Sequence, residues 1–286
     1  TIDANSGTIT RDGDPLSFLG LEPIEVNAVV ADYTVNIVPL TLGATTATLD
    51  SGANVGLGAF DLVVNGPDFE EFRLVAPSNS LTINNESLLG NEVSLSVNSW
   101  STAFTGDLTI ETENITVASG VSIGEVGSEL SSVKLHASDS ANDGSLTQLN
   151  LIGSGTVSSS VDIQGSIYAT GEVSLSAKAE RIADATGDFS LYSPSGAIPL
   201  QMPTLNATAT VGSGSTIVAG SFGLTATTNL DISVDASQSV LGSFTQNIIA
   251  NTTTHATIES GATVEIGSGT LTGESVSGLV RATDTS

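Results

Sequence analysis

Residues 207–229 read ATATVGSGSTIVAGSFGLTATTN, and residues 255–273 read HATIESGATVEIGSGTLTG. Set at an offset of 47, Ala209, Thr210, Ser213, Gly214, Thr216, Gly220, Ser221, Leu224 and Thr225 meet identical residues, nine of the seventeen positions 209–225. Val211/Ile258 and Ile217/Val264 exchange one β-branched residue for another. Around the repeat, apolar and polar residues alternate: Phe222, Leu224 and Ala226, then Leu230, Ile232, Val234 and Ala236. Period two is the pattern of a strand with one buried face. The glycines fall between such runs, where the chain needs a tight bend or a positive φ.

The same phrase returns elsewhere. Ala47, Thr48, Ser51, Gly52, Gly58, Phe60 and Leu62 match Ala209 through Leu224 at an offset of 162, without a gap. Leu95, Leu135 and Leu175 continue the series, so the anchor leucines are 62, 95, 135, 175, 224 and 271, with steps of 33 to 49 residues. Self-similarity at 20–50 residues marks a stacked repeat architecture, in which each unit buries its inward side chains only against its neighbours. The sequence therefore predicts an all-β protein: a β-solenoid with variable-length coils, each repeat making about two coils. Residues 1–43 lack the phrase and read as an N-terminal capping or leading segment. Residues 44–286 form the repeats, with proline-bearing loop insertions near 65–80 and 191–203. The segment AKAERIADA, residues 177–185, is the one stretch with helical character.

The two quoted phrases resemble the repeats of very large bacterial surface proteins of the filamentous-haemagglutinin-like kind. That resemblance is good over 204–280, fair over 44–66 and loose between. It implies a right-handed parallel β-helix with variable-length coils used for adhesion, an extracellular or cell-surface setting, and no catalytic residue to carry over.

Composition bounds the partners. There are 31 acidic residues against 6 basic ones, a formal net charge of −25. Phosphate backbones need clustered Lys and Arg, so nucleic acid is not expected. No apolar run reaches the length of a membrane-spanning helix. Cysteine is absent, which leaves no disulfide framework. A cell-surface or glycan receptor fits the setting. The C-terminal stretch GTLTGESVSGLVRATDTS stays strand-like with no proline, which predicts pole-to-pole self-association or continuation in a longer chain.

Chemistry is sparse. His136 alternates with Leu135 and is expected to face solvent, as is His255 after a threonine run. Trp100 reads as a packed loop anchor. The six bases are scattered, which argues against a cradle for acidic sugars. The reading is a non-catalytic structural or adhesive rod or filament subunit; the alternative is a β-helix that binds or degrades polysaccharide, and a groove with two carboxylates and an aromatic would mark it. Hard cations want several oxygens at flexible spacing, so calcium is the candidate ligand. Asp139 and Asp143 in SDSANDGS, and Asp12 and Asp14 in RDGDP, are its candidate residues, with solvated turns as the plainer account of both stretches. The Thr-x-Thr pairs at 46/48, 208/210, 225/227 and 270/272 are expected not to share one flat array, because their steps are unequal.

Overall fold

The computed structural model describes residues 6–11, 14–19, 23–38, 43–69, 71–85, 92–146, 155–187, 203–236, 251–267 and 271–284. Strands occupy most of them. They are β1 (Ser6–Arg11), β2 (Asp14–Leu19), β3 (Ile24–Val26), β4 (Asp32–Ile37), β5 (Thr45–Ser51), β6 (Leu62–Asn65), β7 (Phe72–Leu74) and β8 (Ser80–Asn85). Next come β9 (Val93–Val97), β10 (Asp107–Thr112), β11 (Asn114–Val117), β12 (Ser122–Ile123), β13 (Ser132–Leu146), β14 (Thr156–Ile163), β15 (Ser166–Tyr168) and β16 (Glu172–Gly187). The last are β17 (Thr204–Val211), β18 (Thr216–Ala219), β19 (Ser221–Ala236), β20 (Asn251–Ile258), β21 (Thr263–Ile266) and β22 (Leu271–Asp284).

The protein is all-β, and its sheets are built mainly from parallel strands. A seven-stranded sheet runs β22-β19-β16-β13-β10-β8-β4, a nine-stranded sheet β20-β17-β14-β11-β9-β5-β6-β7-β3, and a four-stranded sheet β12-β15-β18-β21. β1 and β2 form a separate antiparallel hairpin, and β1 lies against β4. From β10 onward the chain visits the seven-, nine- and four-stranded sheets in that fixed rotation.

Alternation places the core. Inward residues stack across the seven-stranded sheet as Val35, Ile83, Ile110, Leu135, Leu175 and Leu224. The nine-stranded sheet stacks Ala47, Leu95, Ile115, Val161 and Ala209; the four-stranded sheet stacks Ile123, Ile167 and Ile217. All of these are buried. Outward polar residues tie successive layers together: Ser80 Oγ donates to Asp32 (2.7 Å), Ser132 Oγ to Asp107 (2.6 Å) and Ser160 Oγ to Asn114 Oδ1 (2.8 Å). Cross-strand pairs of this kind are the unit of sheet stabilisation.

Glycine is demanded at two corners. Gly214 turns from β17 towards β18 with φ of 80°, a region other residues rarely adopt. At Gly220 a Cβ would stand 2.5 Å from the Thr170 carbonyl oxygen one layer away.

Several expectations are corrected. A repeat of 40–49 residues makes one circuit through three sheets, not two: Leu135 and Leu224 lie 40 residues before and 49 after Leu175, one strand apart each time. The anchors do not form one column. Leu62 lies in β6, antiparallel to β5, and Leu95 in β9, so both belong to the nine-stranded sheet. The offset of 47 holds between β17 and β20 and between β18 and β21. Between β19 and β22 it becomes 49 from Phe222 to Thr227, so Leu271 stands beside Phe222 rather than Leu224, and 50 from Asn229 onward, past a register irregularity. Over the first stretch the shift of two keeps each residue on the same face.

AKAERIADA is part of β16, not a helix. Ala177, Ala179 and Arg181 are buried, Lys178 is exposed and Glu180 half-buried, and β13 and β19 pair with both edges. Ladder bonds on two sides override the helix propensity of Ala, Lys and Glu. SDSANDGS likewise continues β13 instead of turning, with a register irregularity between Asn142 and Ser145. Within 65–80, β7 pairs with β6 and β3. The insertion near 191–203 lies outside the described residues apart from Pro203. The Thr-x-Thr pairs do not form one array, as expected: 46/48 and 208/210 lie on one face of the nine-stranded sheet, in the columns Thr46, Ser94, Asn114, Ser160, Thr208, His255 and Thr48, Ser96, Thr116, Asp162, Thr210, Thr257, whereas 225/227 lies in β19 of the seven-stranded sheet.

Candidate functional site

The corner where the seven-stranded sheet hands over to the nine-stranded sheet gathers buried polar groups. Glu113 is the single residue between β10 and β11. Its N–H donates to the Val93 carbonyl (3.2 Å) and its own carbonyl accepts from Ser160 N (3.2 Å). Its side chain reaches back one layer: Oε2 accepts from Val93 N (2.5 Å) and Oε1 from Asn85 Nδ2 (2.5 Å). The carboxylate thus clamps together the two strands that flank the connection between β8 and β9.

Asp139 stands at the same corner one layer on. Its Oδ2 accepts from Ser158 N (2.7 Å), bridging β13 to β14. Burial pushes the Asp139 carboxyl up, opposed by backbone N–H bonds from Ser158 and Ser140. Burial is also the main cause that raises Glu113, and repulsion from the Asp139 charge adds to it. Both groups therefore hold a proton more tightly than in water.

Outside this corner lies an open groove of about 300 Å³, lined by Asn85, Glu111, Thr112, Glu113, His136 and Ser138. It offers two carboxylates and an imidazole but no Phe, Tyr or Trp, and one of the carboxylates is spent on backbone and amide donors. A second groove is lined by Pro23, Asn65, Gly66, Pro67, Phe69, Glu71 and Arg73. There Arg73 donates to Glu25 (2.8 Å) and is paired with Glu71. Lys178 is paired with Glu180 (2.8 Å), and buried Arg181 donates to the Gly155 carbonyl (3.0 Å).

Of the four candidate calcium residues, Asp139 is half-buried at this corner. Asp143 lies in β13 at the register irregularity. Asp14 begins β2 opposite Arg11, and Asp12 lies outside the described residues. Among the described residues, no three of His, Cys, Asp and Glu converge on one point. His136 and His255 are both exposed. Trp100 packs edge-to-face on Phe104 with centroids 5.9 Å apart. Glu113 escaped sequence reasoning because it is one acid among 31. Its only local signal is that IETENI breaks alternation between Thr112 and Asn114.

Among the described residues, no helix is long and apolar enough to cross a membrane. No protein-family model, curated protein or solved structure matches the chain.

Proposed function

We propose that the chain winds as a right-handed parallel β-helix and serves as a non-catalytic structural or adhesive rod at a bacterial cell surface. The observation that carries this reading is the fixed rotation through three parallel sheets, with apolar residues stacked inside and Ser, Thr and Asn stacked outside. A parallel strand connection of this kind is right-handed in nearly all proteins. The resemblance of 204–280 to adhesive surface repeats supports the setting. The spending of Glu113 on Val93 and Asn85, and of Arg73 and Lys178 on neighbouring acids, supports a scaffold over a reaction centre.

Seven strands at the spacing of parallel sheets span about 29 Å from first to last, so a long rod requires assembly pole to pole or more chain of the same kind. The test has two arms. Beads coated with the chain are expected to be retained on glycan- or protein-coated surfaces, and imaging is expected to show stacked particles. Soluble acidic and neutral polysaccharides are expected to survive incubation uncleaved. Release of new sugar ends, abolished by Glu113→Gln, would replace the adhesive reading with the polysaccharide-degrading one.

A further inference from the structure

We infer that the groove beside Phe69 and Arg73 is a binding site for a neutral glycan chain. The site belongs to the adhesive rod proposed above and rests on that reading. It falls where the parallel order of the nine-stranded sheet breaks: β6 runs antiparallel to both β5 and β7, and β3 ends the sheet. Irregular connections carried on a rigid scaffold are where binding residues concentrate. The turn at 66–69 is braced. Pro67 fixes its own φ, and Thr45 Oγ1 donates to Asp68 Oδ2 (2.5 Å). The Phe69 ring lies so close to Gly66 that a Cβ there would collide with it. Phe69, Pro23 and Pro67 give the groove its apolar wall.

Its polar side is fixed as well. Glu25 and Arg73 are cross-strand neighbours in β3 and β7. Arg73 donates through Nη1 to Glu25 Oε1 (2.8 Å) and through Nε to Glu71 Oε1. A guanidinium carries five N–H donors, of which these bonds engage two, and Glu71 keeps its second oxygen clear of Arg73. Asn65, in the same lining, is exposed, and its amide both donates and accepts. Donors and acceptors thus stand side by side next to an aromatic ring. That combination fits a pyranose, whose hydroxyls each donate and accept and whose C–H face packs on a ring. Charge narrows the class. One guanidinium stands between two carboxylates in a chain of net charge −25, so uronate or sulfated chains are repelled. The same guanidinium bridges the two carboxylates, where a hydrolase would hold the scissile bond, so the groove binds without cleaving. Its volume of about 400 Å³ is within the range of ligand sites, and its openness to solvent lets a chain lie across it.

The experiment immobilises the whole chain and measures binding by surface plasmon resonance. Cellohexaose, maltohexaose and mannohexaose are the neutral probes; oligogalacturonate and a chitosan oligomer are the acidic and basic ones. At least one neutral probe is expected to bind more tightly than both charged ones. Phe69→Ala and Asn65→Ala are each expected to weaken that binding about tenfold or more, whereas His136→Ala, in the other groove, should leave it unchanged. Asn65 is exposed, so Asn65→Ala carries the test alone if Phe69→Ala fails to fold. No binding of a neutral probe, tighter binding of a charged one, or an affinity unaltered in Asn65→Ala would overturn the site. Retention of chain-coated beads on protein-coated surfaces, measured alongside, separates the two readings: beads that hold there while no neutral probe binds overturn the groove and leave the adhesive rod standing.

Discussion

Leu224 and Thr225 are adjacent, yet one is 1% exposed at the centre of a stacked column and the other sits on the outer face. Leu224→Asp buries an unpaired charge and is expected to cost several kcal/mol, whereas Thr225→Asp should stay within about 0.5 kcal/mol, as surface changes do. Chemical denaturation of the two variants separates them; equal midpoints would remove the inward assignment. Glu113 makes a prediction about pH. Its carboxyl is raised in the fold, so the folded chain binds more protons than the unfolded chain at pH values between the two carboxyl pKa values. Its contribution is fully present below the unfolded value of about 4 and is lost as pH rises through the folded one. Asp139 has the same sign. Glu113→Gln removes the titration, so its stability should fall less steeply between pH 4 and 7 than that of the wild type. Urea midpoints across that range read the slope directly, and an unaltered slope would mean that Glu113 ionises as it does in the unfolded chain.

β17 and β20 carry the same Ala-Thr pair in register, but β17 is paired on both edges and β20 ends its sheet. The N–H of Glu259 points back to Val211, so by alternation the N–H of Ala256 points to the outer edge of β20. The matching N–H of Ala209 points into the ladder with β20. Proline removes a donor and is excluded from central strands. Ala209→Pro is therefore expected to cost about 3 kcal/mol or more, and Ala256→Pro distinctly less, read as the difference in unfolding free energy. Equal costs would show that β20 is paired on its outer edge in solution. β16 offers the complementary lesson: a segment with the composition of a helix is held as a strand because both of its edges are already occupied.

The whole molecule carries 31 acids against 6 bases, so its like charges repel across one compact surface. Self-repulsion of this kind destabilises the compact state and is screened by salt. The melting temperature is expected to rise steadily from about 20 mM to about 0.5 M sodium chloride, over which the Debye length shrinks several-fold. A flat response would mean that the outer ladders of Ser, Thr and Asn already keep the acids apart.

The sequence alone determined the class of structure. Strict alternation at Phe222, Leu224 and Ala226, recurring with glycine at fixed spacing, leaves no arrangement but strands that share one interior, because a period of two cannot hide its apolar face on a helix. It also placed Leu135, Leu175 and Leu224 inward, since parity is a local property of the chain. The stacking partner is not local. Whether Leu271 meets Leu224 or Phe222 depends on how many residues the connection from β21 to β22 takes up, and sequence identity favoured the offset of 47 that only two sheets keep. The corner of Glu113 and Asp139 was invisible for the same reason. Its members lie 26 residues apart and carry no shared motif. They share a corner only because β10 and β13 are neighbours in the seven-stranded sheet and the chain turns from each into the nine-stranded one, and that stacking is decided by the tertiary structure.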